Sequence, residues 1–83
     1  MIVPFSLDLL PPESEAEIVA ISNTGAMERR LLDVGFRPGT CVRCLFRAAA
    51  GDPTAYEVHG AVIALRRADA RRILVVPTEG AEE

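Results

Sequence analysis

The feature that most constrains this chain is a helix signal that ends abruptly within residues 28–40. Apolar side chains recur at the i, i+4, i+7 spacing of one helical face, at Met27, Leu31 and Val34. Gly35 follows where a helix end favours a residue with positive φ, and Pro38-Gly39 suits the centre of a type II turn. The sequence therefore predicts one short helix of about three turns.

The other apolar segments are short and bounded by residues that break regular structure. Alternation and β-branched content predict five strands, over residues 15–22, 40–47, 54–59, 61–65 and 73–76. None of the connections provides repeated βαβ spacing, so the strands are expected to be antiparallel. We predict a mainly β fold, a small antiparallel barrel of about five strands with one short helix inserted after the first strand.

Alternation also predicts which side chains face the core. In the first strand Ala16, Ile18 and Ala20 share one face, and in the second strand Val42, Cys44 and Phe46 share a face opposite Arg43 and Arg47. In the fourth strand the pattern leaves two sets open, either Val62 with Ala64 or Ala61 with Ile63 and Leu65.

Length and charge limit the classes of function. Eighty-three residues form one domain, and the net charge of −3 gives little general attraction for a polyanion, so nucleic-acid binding is disfavoured. The apolar runs are far shorter than the roughly 20 residues of a membrane span, so no direct membrane insertion is expected. The N-terminus lacks the basic region of a signal peptide, and two cysteines fit a reducing compartment, which indicates a cytoplasmic location.

A metal site is a weaker hypothesis, resting on Cys41, Cys44 and His59. The two cysteines match C-x-x-C, but residues three apart on a strand point to opposite faces, whereas a shared metal needs them on one side. We therefore expect Cys44 to be a core residue, Cys41 an edge thiol and His59 a solvated turn residue, with no cofactor. No nucleophile and base combination stands out, so no catalytic residue is predicted and the chain is not expected to be an enzyme.

A partner-binding edge is predicted beside the helix. Met27, Leu31 and Val34 form the apolar seam of the helix, and Leu32 lies at its border. Leu32 is either a flank of the core or an apolar contact for a partner. Aromatic and arginine side chains are enriched at interfaces. The predicted partner-binding set is Leu31, Leu32, Phe36, Arg37 and Arg29, of which Leu31 also belongs to the core seam.

Three segments in fixed order carry a family resemblance. They read R-L-x-x-x-G-x-x-P-G over residues 30–39, G-D-P over 51–53 and A-L-R-R-x-x-A-x-x-I over 64–73. In this order and spacing, the chain resembles the FeoA family, small cytoplasmic components of bacterial ferrous iron transport.

The resemblance implies an SH3-like barrel, which we place over residues 1–77. Residues 78–83 are acidic and contain glycine, so we expect a flexible tail there. The resemblance also implies a non-catalytic accessory role, in which the chain binds the cytoplasmic part of FeoB, a GTPase-fused membrane transporter, and is recruited to the inner face of the membrane. A homo-oligomer is compatible with this role. Similar barrels form C-terminal domains of iron- and manganese-dependent repressors, but their DNA-binding helices have no counterpart in this sequence.

Two alternatives remain open at this point. One is a metal-binding or metal-sensing SH3-like domain that uses Cys41, Cys44 or His59. The other is a nucleic-acid-binding barrel, which rests on the arginine pairs at 66–67 and 71–72.

Overall fold

A computed structural model describes residues 2–78 and contains six strands, two α-helices and one 3₁₀ turn. The strands are β1 (Phe5–Ser6), β2 (Glu15–Ile21), β3 (Cys41–Arg47), β4 (Thr54–Val58), β5 (Ala61–Leu65) and β6 (Ile73–Pro77). The helices are α1 (Gly25–Val34) and α2 (Arg67–Ala70), and the 3₁₀ turn η1 covers Leu7–Leu9. The predicted tail falls mostly on residues 79–83, which lie outside the described residues.

The strands form one antiparallel sheet in the order β1-β6-β2-β3-β4-β5. The predicted mainly β, antiparallel architecture with a short helix after the first long strand is confirmed. Two details differ from the expectation: the sheet has six strands, and it is not closed into a barrel. The added strand β1 spans two residues and pairs with β6, so β1 and β5 are the sheet's two edges.

The core is a cluster of buried apolar side chains drawn from every strand of five or more residues, η1, both helices and the turn after α1. The helical seam is confirmed, because Leu31 is fully buried and Met27 and Val34 pack partly buried against the cluster. In β5 the inward side chains are Ile63 and Leu65, which decides between the two sets left open by the sequence.

Two β-bulges reverse the predicted alternation part-way along a strand. In β3 the register shifts between Cys44 and Phe46, so Phe46 is 62% exposed instead of facing the core. Arg47 turns the other way and its guanidinium donates hydrogen bonds to the carbonyl oxygens of Asp8 and Leu10, at 3.3 and 3.1 Å. A bulge adds one residue to one strand and inverts the faces beyond it, which explains both wrong assignments.

The same effect occurs in β2. The register shifts between Ile18 and Ala20, after which Ala20 is exposed and Ile21 packs against the core. Ala16 and Ile18, which precede the bulge, are buried as the alternation predicted.

Two hydrogen bonds between side chains and the backbone hold the helices in place. The Nδ2 group of buried Asn23, just before α1, donates to the carbonyl oxygen of Asp69 in α2 at 3.1 Å. The first amide of α2, at Arg67, donates to the Asp52 carboxylate at 2.9 Å, which supplies the helix cap that Arg66 does not. Neither helix of residues 2–78 has the length and apolar character needed to cross a lipid bilayer.

The single tyrosine, Tyr56, provides a pH test of core integrity. Burial, and secondarily the neighbouring Cys44, raises its pKa from 10.0 to about 12. The unfolded chain therefore releases this proton at lower pH than the folded chain, so stability is retained below pH about 10 and falls as the pH rises toward 12. Ultraviolet titration of phenolate absorbance should show ionisation near pH 10 in urea and well above it in the native protein. A native transition near 10 would contradict the burial of Tyr56.

Candidate functional site

The end of α1 is fixed by a paired set of backbone hydrogen bonds. Gly35 has φ of 118°, its amide donates to the carbonyl oxygen of Leu32 at 3.1 Å, and the amide of Phe36 donates to that of Leu31 at 2.9 Å. These are the bonds of a Schellman motif, in which the second residue beyond the helix commonly packs against the helix's last turn. The chain therefore reverses at Gly35 and directs Phe36 back into the protein.

This geometry corrects part of the predicted partner-binding set. Phe36 and Leu31 are both 0% exposed and belong to the core cluster, so neither side chain is available at the surface. The apolar residue directly after Gly35 was the sequence signal for this outcome, because a Schellman motif buries that position.

The rest of the predicted set remains at the surface. Arg29 on α1 and Arg37 in the following turn are exposed, and Leu32 is half-buried between the core and solvent. Arg29 and Leu32 are three residues apart and therefore neighbours on one face of the helix. We call Arg29 and Leu32 on α1, together with Arg37 in the turn that follows, the helix face; the set has two exposed guanidinium groups and one partly accessible apolar side chain.

The structure separates the two cysteines. Cys41 is exposed on the outer face of β3, whereas Cys44 is fully buried in the core, and neither forms a disulfide. Burial raises the pKa of the Cys44 thiol, partly offset by nearby Arg47, so Cys44 is held as a neutral thiol. The two thiols therefore cannot bind the same metal ion, as their positions on opposite faces of the strand indicated.

Cys41 and His59 do lie along one groove, of about 550 Å³, between the start of β3 and the β4–β5 hairpin. Its charged lining was not predicted from sequence, and consists of Glu15, Arg43 and Glu57. The pairing register places these three residues side by side across β2, β3 and β4, with Arg43 3.6 Å from the Glu15 carboxylate. The alternation within each strand indicated that these side chains face outward, but only the pairing register shows that they are adjacent.

The groove does not contain a complete metal site within one copy of residues 2–78. No cluster of three or more histidine, cysteine, aspartate or glutamate side chains in this part of the chain is arranged to hold a metal ion. Structural zinc sites normally use four protein ligands and catalytic sites three, so Cys41 and His59 alone fall short of either.

His59 also packs against the end of α1. A Cβ atom added at Gly35 would lie 2.9 Å from Cδ2 of His59 and 3.3 Å from Cγ1 of buried Val58. The hairpin therefore lies directly against the chain reversal, and glycine is required at position 35 for both its positive φ and this close approach.

The comparisons with known proteins agree with this geometry. The architecture is that of a small SH3-like domain. The family model of the FeoA domain matches residues 5–77, and the chain therefore belongs to the FeoA family, which is associated with ferrous iron transport. A search of curated proteins found no match.

Several solved structures share the fold. The FeoA protein of Chlorobium tepidum is 30% identical with a TM-score of 0.85, and the match covers 92% of this chain and 72% of that one. The iron(II) transport protein A of Clostridium thermocellum is 29% identical with a TM-score of 0.83, over 92% and 47% of the two chains. The Stenotrophomonas maltophilia FeoA, solved with zinc, is 27% identical with a TM-score of 0.77, over 93% of each chain.

A manganese-dependent transcriptional repressor also matches, with a TM-score of 0.80 at 19% identity over 94% of this chain and 44% of the repressor. At this identity the likeness concerns the fold alone.

Replacement of Gly35 by alanine should destabilise the protein by about 1–3 kcal/mol, because a non-glycine residue is strained at this φ. Urea unfolding measures the change. Adding His59→Ala should recover only a minor part of the loss, since Val58 and the backbone strain remain. Full recovery in the double variant would show that side-chain crowding, and not φ, requires glycine.

The two thiols should differ in reactivity. Iodoacetamide is expected to modify Cys41 alone in the native protein and both cysteines in urea, because thiolate formation and access decide the rate. Mass spectrometry counts the adducts, and a Cys41→Ser variant should gain none while folded. Rapid native modification of Cys44 would contradict its place in the core.

Proposed function

We propose that this chain is a non-catalytic accessory protein of ferrous iron uptake that binds the cytoplasmic part of a FeoB-type transporter. The observation that carries this proposal is the match of the FeoA family model to residues 5–77. The Stenotrophomonas maltophilia relative, described as a prokaryotic SH3 domain protein and a candidate activating factor of ferrous iron transport, supports the same role. A protein with this role acts in the cytoplasm, at the inner face of the membrane.

We assign the docking contact to the helix face, Arg29, Leu32 and Arg37. Its two arginines are exposed, and the ion pair found within residues 2–78, between Arg43 and Glu15, uses neither of them. Arginine binds carboxylates through two parallel hydrogen bonds, so the partner surface should present acidic side chains around an apolar contact for Leu32.

Binding of the purified chain to the cytoplasmic part of the cognate FeoB tests this assignment. Leu32→Glu and the double variant Arg29→Glu with Arg37→Glu should each weaken binding about tenfold or more, because loss of a central interface contact costs about 2 kcal/mol and about 1.4 kcal/mol corresponds to a factor of ten. Biolayer interferometry provides the dissociation constants.

Leu9→Glu is the matched control, since it introduces the same charge at an apolar side chain that is 63% exposed on η1. It should bind as the wild type does. Leu31→Glu is unsuitable as a binding variant, because a buried charge in the core should unfold the protein. Absence of wild-type binding would refute the partner, and equal weakening by Leu9→Glu would refute the location.

A second candidate is a metal-binding role for the groove, favoured by the shared location of Cys41 and His59. Zinc titration of the reduced protein by calorimetry tests it, with Cys44→Ala as the control for a thiol outside the groove. Stoichiometric uptake that Cys41→Ser abolishes and Cys44→Ala retains would support this role, and no uptake by the wild type would remove it.

A further inference from the structure

The outer edge of β5 is unpaired in the described part of the chain. The strand is last in the sheet order, and its five residues, Ala61–Leu65, pair only with β4. The opposite edge of the sheet is β1, which is only two residues long. The β5 edge is therefore the longer row of backbone groups that an added strand could use.

The hairpin geometry identifies the outward backbone groups. His59 and Gly60 form a two-residue loop with φ of 54° and 83°, the positive values of a type I′ turn, between the paired residues Val58 and Ala61. The residues that flank such a loop exchange hydrogen bonds, and bonded and non-bonded pairs alternate from there. The amides and carbonyls of Val62 and Ala64 consequently point away from β4, toward the open edge.

This edge lacks three features by which proteins prevent strand addition. They are charged side chains, proline and a bulge. Ala61–Leu65 contains no charged residue and no proline, and its pairing with β4 is regular along its whole length. On the outer face Val62 is 61% exposed and Ala64 is exposed, so the side chains beside the free groups are apolar.

We propose that β5 binds the β5 strand of a second copy of this chain in antiparallel orientation. With Ile63 of the two copies on the two-fold axis, Val62 of each copy lies opposite Ala64 of the other. All eight outward amides and carbonyls of the four residues are then used, in two bonded pairs that form four hydrogen bonds. The result is one continuous sheet across a two-fold, self-complementary interface.

The residues around this register favour a second copy as the occupant. Opposing side chains are Val62 with Ala64, Ala61 with Leu65 and Ile63 with itself, so no charges meet within the paired segment. The first charged residue beyond it, Arg66, lies opposite Gly60 of the other copy, which avoids the repulsion between like charges that disfavours many self-paired strands. The helix face is separate from this edge in sequence and element, so the proposal does not depend on the proposed transporter contact.

Sedimentation equilibrium of the full chain, from micromolar to millimolar concentration, tests the proposal. The weight-average mass should rise from the monomer value of 8.9 kDa toward twice that value. In the same series, hydrogen exchange at the amides of Val62 and Ala64 should slow as concentration increases, whereas the amide of Ile63, already bonded to β4, should change little.

Two edge variants and one control identify the contact. Ala64→Pro removes an outward amide that β4 does not use, which an edge strand tolerates, and should abolish association. Val62→Lys places a charge beside the same groups and should weaken association at least tenfold. Phe46→Lys is the matched control, because it changes another exposed apolar side chain of the sheet, on β3, and leaves the β5 edge intact; it should associate as the wild type does.

Protection of Cys44 from alkylation verifies folding of each variant, and if Ala64→Pro fails that check, Val62→Lys decides the test. A wild type that remains at 8.9 kDa up to millimolar concentration would overturn the proposal. Association that survives in folded edge variants but disappears in Phe46→Lys would also overturn it, since the contact would then be between sheet faces.

Discussion

The chain reversal after α1 is the constraint on which the rest of this structure depends. The positive φ of Gly35 allows two backbone hydrogen bonds to close the helix and turns Phe36 inward onto the core that Leu31 already joins. The β4–β5 hairpin then packs against the same glycine. One residue without a side chain thus determines how the helix, the following turn and the hairpin lie against one another.

The same reversal leaves the helix face exposed and the groove open. Arg29 remains in solvent because the helix presents Met27, Leu31 and Val34 to the core, and Arg37 is exposed in the turn that follows the helix. Cys41 and His59 both line the groove, because β3 starts just beyond the turn that follows the helix and the hairpin that carries His59 packs against the helix end. The burial of Phe36 and the exposure of Arg37 therefore both follow from the backbone conformation at Gly35.

Sequence patterns predicted the five longer strands, the helix α1 and its apolar face because each depends on local periodicity. The two-residue strand β1 is too short to show such a pattern and was not predicted. They failed at Phe46 and Ala20 because a bulge is a property of the pairing between strands, and residue alternation within one strand carries no sign of it. For the site, opposite faces for Cys41 and Cys44 followed from strand geometry alone. Predicting that Glu15, Arg43 and Glu57 are adjacent would have needed the pairing register of the strands. Predicting the burial of Phe36 would have needed the hydrogen-bond pattern at the helix end, which turns the residue after Gly35 inward.

The bulge in β3 also affects how relatives of this chain should be aligned. Because the strand changes phase between Cys44 and Phe46, a homologue without the extra residue would have its apolar and polar positions offset by one from Phe46 onward. An ungapped alignment would then match Arg47, which donates to the carbonyl oxygens of Asp8 and Leu10, with the residue equivalent to Ala48. Placing a one-residue gap at Leu45 would restore the correspondence between structurally equivalent side chains.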